Sequence, residues 1–277
     1  MIGLCSWSLQ PESPDDLAAK AKAVGVAAVQ LALDPLRSGE WDVDQTQQAL
    51  AAAGIQIRSG MMRMRGEDYT TLDTIRRTGG VRLDEHWEAN LAAARANAEL
   101  ARRLRIPLVT FHAGFIPERR GDAVRSLMLE RLRAIAGAFA QCNVRVGFET
   151  GQETAATLLD ALTELDRPTV GVNFDPANMI LYGMGDPVAA LRLLAPRVAQ
   201  IHVKDALPTQ TPGTWGREVA VGSGAVDWPA FFRVYREAGL DCDLMIEREA
   251  GGRRIEDMCR ARELLDRYGS SASSDEV

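Results

Sequence analysis

The feature that most constrains this chain is an alternation that persists from end to end: short apolar runs take turns with longer amphipathic stretches. Short apolar runs bounded by turn residues read as buried strands, and stretches with apolar positions every three to four residues read as helices packed on them. The strand candidates are Ile2–Trp7, Ala27–Leu33, Ile55–Gly60, Leu108–His112, Arg145–Glu149, Val170–Asp175, Val198–Lys204 and Asp243–Glu247. Helix candidates follow at Asp15–Val24, Val43–Ala53, Asp84–Leu104, Asp122–Gln141, Glu153–Leu165, Pro187–Leu194, Asp227–Ala238 and Ile255–Tyr268. Eight βα units in 277 residues match a single closed (β/α)8 TIM barrel, an α/β fold. An open doubly wound sheet uses fewer strands and a Gly-rich first turn, whereas the first turn here, Cys5–Pro14, contains no glycine.

No composition shift or linker divides the chain, so residues 1–268 are expected to form one barrel domain. The Ser-rich stretch 269–277 is expected to be a disordered tail. A net charge of -6 repels polyanions, which argues against nucleic acid and acidic membranes as partners. No apolar run reaches the length of a membrane helix and Met1–Gln10 lacks the pattern of a signal peptide, so the expected compartment is the cytoplasm. Cys5, Cys142, Cys242 and Cys259 are widely spaced and read as free thiols. Two connections exceed βα norms: Met61–Leu83, with five arginines, and Ala206–Val226, rich in Gly, Pro and Thr. Long βα loops of a barrel lie on its catalytic face.

Strand side chains alternate faces, and in a barrel one set points at the axis while the other packs on helices. Assigning Val109, Phe111, Val146, Phe148, Val172, Phe174, Ile201, Val203, Leu244 and Ile246 to the helix layer leaves a polar set inward. That set is Thr110 and His112, Glu149, Asn173 and Asp175, Gln200, His202 and Lys204, and Glu247. Ionisable groups inside a barrel are costly unless paired or bound to a cation. Two Glu, one Asp and one His offer hard oxygens and an imidazole, a set suited to Mn²⁺, Mg²⁺, Co²⁺ or Zn²⁺. The spacings agree, since Glu149 to Asp175 and Asp175 to His202 are each one βα period, and His202 to Glu247 is one period plus the long loop. A single strand-end carboxylate is most often a helix cap or an ion-pair partner; four such groups at successive strand ends form a site, or else a satisfied polar barrel mouth without metal. Of the three histidines, His86 begins a helix and is expected to face solvent.

The stretches FETGQET (148–154), NFDPAN (173–178), IHVKDA (201–206), REVAVGSGAVDW (217–228) and MIEREAG (245–251) resemble those of the xylose-isomerase-like barrel superfamily of sugar phosphate isomerases and epimerases. The resemblance spans nearly the whole chain. It implies one divalent metal, commonly manganese, held by Glu149, Asp175, His202 and Glu247. Members include ketose 3-epimerases, hydroxypyruvate isomerase, inosose dehydratase and an endonuclease that cuts at abasic sites. The endonuclease branch needs extra histidine ligands, but Asn178 stands where its DxxH motif requires histidine and Arg217–Gly224 has no DxH.

The expected activity is therefore metal-dependent isomerisation or epimerisation of a small sugar or sugar phosphate, with Glu149 and Glu247 moving the proton of an enediolate. Dehydration of a keto-sugar or keto-inositol at the same site is the alternative, and a non-catalytic sugar-binding barrel is the second. His112, Lys204 and Arg217 are candidate substrate contacts, with plain salt bridges as the competing reading. Trp7 and Trp215 are candidates to wall a sugar pocket, and Gln30 and Asn178 to touch hydroxyls. Gly222 and Gly224 suit either close backbone approach to a ligand or a simple turn. The arginines within Arg58–Arg77 read as a solvated loop or as a phosphate-recruiting lid. A carbohydrate is the expected partner, and a homo-oligomer is compatible with the sequence.

Overall fold

The computed structural model describes residues 1–270. In chain order the strands are β1 (Ile2–Cys5), β2 (Ala28–Ala32), β3 (Gln56–Met61), β4 (Leu108–Phe111), β5 (Arg145–Glu149), β6 (Val170–Phe174), β7 (Val198–Val203), β8 (Asp205–Leu207), β9 (Arg217–Val219) and β10 (Asp243–Ile246). β1 to β7 and β10 close into a parallel barrel in which β10 sits between β7 and β1. The eight expected strands are these eight staves. The eight expected helices surround them as Pro14–Val24, Val43–Ala52, Asp84–Leu104, Ala123–Gln141, Ala155–Leu165, Pro187–Leu194, Trp228–Glu237 and Arg254–Ser270. Ser13, Asp42, Asp122, Asp186 and Asp227 start five of them by accepting first-turn backbone N–H groups. The last helix runs through Gly269 and Ser270, the first two residues of the expected tail; residues 271–277 lie outside the described residues. Among the described residues no helix is long and apolar enough to cross a membrane.

The core lies between barrel and helices. Val109, Phe111, Phe148, Val172, Phe174, Ile201, Val203 and Ile246 belong to it, as the alternation requires. Phe111 meets Phe148 edge-on at 5.4 Å between ring centroids, and Phe174 meets Phe231 of the outer layer at 6.0 Å. Each buried Phe stabilises the fold by about 1.5–3 kcal/mol.

Five strands stop one residue short of expectation; besides Leu33 after β2, this leaves His112, Asp175, Lys204 and Glu247 just past their strand ends. At Asp175 the reason is local: its carboxylate accepts the Asn178 N–H and starts a short helix, Pro176–Tyr182, that the sequence reading left out. Asp34–Ser38 and Leu72–Thr78 are two further short helices, the latter inside the connection read as a loop. β1 also ends early, at Cys5, and Trp7 belongs to a 3-10 turn, Ser6–Leu9, above it.

The connection after β7 is built on a buried carboxylate. β8 and β9 pair antiparallel within it. Asp205 accepts bonds from the backbone N–H groups of Ala206, Gly222, Gly224 and Val226 and from Trp228 Nε1, at 2.9–3.2 Å. A Cβ on Gly224 would fall 2.0 Å from Asp205 Oδ1. The GSG segment is thus a turn wrapped on Asp205, and its N–H groups are committed to that carboxylate. Asp205→Ala leaves these donors unpaired and should cost about 3 kcal/mol, or about 6–12 °C in Tm. Thermal unfolding of the variant checks this; an unchanged Tm would contradict it.

Candidate functional site

Glu149 ends β5, Asp175 follows β6, His202 is the penultimate residue of β7 and Glu247 follows β10. Those four staves are neighbours, so the four side chains occupy one half of the barrel mouth. One ligand atom from each lies within 4.8 Å of the others, and all four residues are buried. His202 Nδ1 stands 3.2 Å from Glu247 Oε2, 3.6 Å from Glu149 Oε1 and 3.9 Å from Asp175 Oδ2. Atoms bound to one ion at about 2.1 Å are spaced by about 3.0–3.4 Å, so this cluster needs little contraction to hold one.

Beneath it the barrel axis is filled by hydrogen-bonded amides. Gln30 Nε2 donates to Thr110 Oγ1 at 2.8 Å and to the Gly60 carbonyl at 3.4 Å, which turns Gln30 Oε1 toward His202 Nε2, 2.6 Å away. Nε2 therefore donates to Gln30, and Nδ1 is the ring atom that faces the carboxylates, where loss of its proton would free a lone pair for a cation. Ser59 donates to Gln200 Oε1, Gln200 Nε2 to Asn173 Oδ1, and Asn173 Nδ2 to Glu149 Oε2. Glu149 Oε1 accepts from Asn178 Nδ2 at 2.8 Å. Glu247 Oε1 accepts from Trp7 Nε1 at 2.8 Å and Oε2 from Lys204 Nζ at 3.0 Å. Within the four-residue cluster, two buried atoms have no hydrogen-bond partner among the described residues: Asp175 Oδ2 and His202 Nδ1. Both belong to the cluster, and a cation bound there would satisfy them.

The charges are unbalanced in the same sense. Burial pushes the Asp175 carboxyl up to about 8, against the pull of Lys204 and with a further push from Glu247 and Glu149. Burial opposes a charge on His202, yet Cys5, Glu247 and Glu149 hold its pKa well above the ordinary value. Burial also disfavours the Glu247 carboxylate, but Lys204 and His202 keep it well below the usual range. Glu149 is likewise lowered, His112 and His202 outweighing its burial.

The other expected contacts are distributed unevenly. His112 Nε2 lies 3.5 Å from Glu149 Oε1 and its ring meets Tyr69 edge-on at 6.4 Å. Lys204 is buried in ion pairs, reaching Glu249 Oε2 at 2.6 Å besides Glu247. Gln30 is fully buried below His202, a position for orienting the imidazole. Trp215 packs on Tyr182 at 4.9 Å, and Tyr182 on Phe115 at 5.7 Å, forming an aromatic wall. Arg217 is exposed on β9; the next residue, Glu218, turns inward to accept from Arg248 at 2.6 Å. His86 is half-buried, packed against Gly66, and does not stand free in solvent. The sequence reading omitted Tyr69, Tyr182, Glu249 and Cys5. Only Glu249 had a signal, its position two residues beyond Glu247. Cys5 Sγ lies 3.6 Å from His202 Nε2, but burial pushes its thiol up to about 12, so it stays protonated and is a poor ligand.

Residues 18–268 match the family model of the xylose isomerase-like TIM barrel, and the chain belongs to that family. A solved xylose isomerase domain protein from Planctomyces limnophilus is 32% identical, over 91% of this chain and 92% of that one, with a TM-score of 0.86. An L-ribulose 3-epimerase is 15% identical over 100% of this chain and 99% of its own, with a TM-score of 0.75. A xylose isomerase-like barrel protein from Mycobacterium smegmatis in complex with magnesium is 18% identical over 94% and 88%, with a TM-score of 0.71. The Escherichia coli protein YihM is 26% identical over 150 residues, 53% of this chain but only 45% of that protein's length.

A divalent cation entering the cluster must displace the protons that Asp175 and His202 hold. Because both pKa values are raised, those protons are present at pH 7 and are lost as pH rises, through about 8 for Asp175. Mn²⁺ affinity should therefore increase from pH 6 to pH 8, by about tenfold per pH unit for each proton displaced. Calorimetry in buffers of different ionisation enthalpy should register proton release; heats that are independent of buffer would contradict it.

Proposed function

We propose that this chain is a divalent-metal-dependent isomerase or epimerase of a small sugar or sugar derivative, with Glu149, Asp175, His202 and Glu247 as the metal ligands and Glu149 and Glu247 as proton-transfer groups. The observation that carries this reading is the convergence of the four side chains around two buried atoms without partners, Asp175 Oδ2 and His202 Nδ1. Manganese is the expected ion, and magnesium, cobalt or zinc fits the same donors. When bound, the ion supplies Lewis-acid stabilisation of negative charge developing on adjacent substrate oxygens.

The chain's own groups do the rest. Glu149 and Glu247 stand at the two ends of the four-stave arc, and each is clamped through both oxygens, Glu149 by Asn178 and Asn173, Glu247 by Trp7 and Lys204. Their lowered pKa values keep both ionised at neutral pH, the state that accepts a proton. One carboxylate removes the proton from a carbon next to a carbonyl, leaving an enediolate. If the other returns a proton to the opposite face of the same carbon, the product is the epimer; return to the neighbouring carbon gives the isomer. His112 beside Glu149 and Tyr69 beside His112 border the mouth where a sugar hydroxyl would lie. The L-ribulose 3-epimerase named above supports a carbohydrate as the substrate class.

Glu149→Gln and Glu247→Gln keep the shape and an oxygen but remove the base. With Mn²⁺ saturating and bound metal measured in the same sample, each should suppress solvent deuterium incorporation into a responsive ketose by about a hundredfold or more. If only one variant is impaired, proton transfer is one-sided and favours isomerisation or dehydration. If neither is, the carboxylates are not the proton-transfer groups.

A further inference from the structure

A hollow of about 510 Å³ opens beside the barrel mouth, lined in part by Arg76, Arg77, Arg82, Phe115, Gln152 and Glu153. None of Glu149, Asp175, His202 and Glu247 lines it. Two of its three guanidinium groups lack an acidic partner among the described residues. Arg77 pairs with Asp73 at 2.8 Å, but Arg76 rests over the Phe115 ring, 5.5 Å from its centroid, and Arg82 donates only to the Phe115 carbonyl, at 3.4 Å.

The inner wall is built by the loop that follows Glu149. Gly151, at φ +129°, packs so tightly on Asn178 that a Cβ would stand 2.4 Å from the Asn178 Cβ. The chain passes the metal-ligand cluster at this glycine and presents Gln152 to the hollow. Gln152 is 1% exposed, and neither of its amide atoms has a hydrogen bond of proper geometry, although the Tyr182 hydroxyl is near enough to feel it. An unpaired buried amide costs about 1–3 kcal/mol unless a ligand meets it. Glu153, the acid beside it, is buried and pushed up to about 8, so it is uncharged at neutral pH, while Glu118 at the rim is exposed to water. Thr154 and Thr157 bring the N-terminus of the helix Ala155–Leu165 to the same wall, where backbone partial charge favours an anion. Paired guanidinium forks, an amide and a helix start together suit a phosphate dianion, and the volume leaves room for a small organic group attached to it.

We propose that this hollow is a binding site for a small phosphate monoester, held by Arg76, Arg82 and Gln152 and separate from the Glu149–Asp175–His202–Glu247 cluster. Inorganic phosphate shares the charge but not the organic group, so the two sources are separable. Calorimetric titration with glycerol 3-phosphate, inorganic phosphate and glycerol at constant ionic strength should give saturable binding for the ester, weaker binding for inorganic phosphate and none for glycerol. Arg76→Ala and Arg82→Ala, both at accessible positions, should each weaken the ester by about tenfold or more. Gln152→Ala should also weaken it, with no change in surface charge. Glu247→Gln, which removes a charge from the metal-ligand cluster on the side away from the helix Pro176–Tyr182, should leave ester affinity unchanged, so failure of the proposed activity does not carry over to this site. Absence of saturable binding below about 10 mM, indifference to both arginine substitutions, inorganic phosphate binding as tightly as the ester, or loss of binding in Glu247→Gln would overturn the proposal.

Discussion

Three carboxylates buried within reach of one imidazole face a single buried lysine, and the rest of the barrel mouth is organised around that imbalance. Lys204 lies 3.0 Å from Glu247 and 3.7 Å from Asp175. At an effective dielectric near 20 such contacts are worth about 5 kcal/mol each, comparable to the several kcal/mol that burying a carboxylate costs. One ammonium can offset one or two carboxylates, and it is itself shared with Glu249. The remainder of the negative charge must be met by protons or by a cation. The raised pKa values of Asp175 and His202 are the proton solution; the free Asp175 Oδ2 and His202 Nδ1 mark where a cation would provide the other.

Such an imbalance persists only on a rigid support. The amides of Gln30, Asn173 and Gln200, with Thr110 and Ser59, span the axis from β2 to β7 and fix the faces that His202 and Glu149 present. The layer holds no charge of its own, so it orients the ionic groups without neutralising them. On the far side, Glu218 accepts from Arg248 and from the backbone N–H groups of Glu249 and Ala250. This ties the loop after β10 to the β8–β9 insert and holds Glu249 against Lys204. The insert in turn rests on Asp205, so one buried carboxylate outside the cluster sets the course of a chain segment that borders it.

The architecture and the four convergent residues were legible in the sequence because both follow from local periodicity. A two-residue alternation assigns Phe148 outward and Glu149 inward whatever the loops do, and eight repeats of it leave few closed topologies. Features that depend on contacts distant in sequence were not legible. Gln30 appeared as a hydroxyl contact because nothing nearby reveals that it lies 2.6 Å beneath His202, 172 positions away. Asp205 gave no signal, since its donors come from Gly222 to Trp228 across a hairpin that periodicity reads as a loop. Trp7 and Asp175 fell at the edges of apolar runs, where capping and a tight turn override the strand pattern. Tyr69 and Tyr182 reach the mouth from a long loop and a short helix, elements whose path is fixed only by what they pack on.

Anomalous scattering from crystals soaked in Mn²⁺ tests the central claim most directly, because it locates the ion without reference to activity. The expected result is one strong peak about 2.0–2.5 Å from carboxylate oxygens of Glu149, Asp175 and Glu247 and from His202 Nδ1. No peak among these four residues at saturating Mn²⁺, or an ion bound through His202 Nε2 and Cys5 instead, would contradict the account.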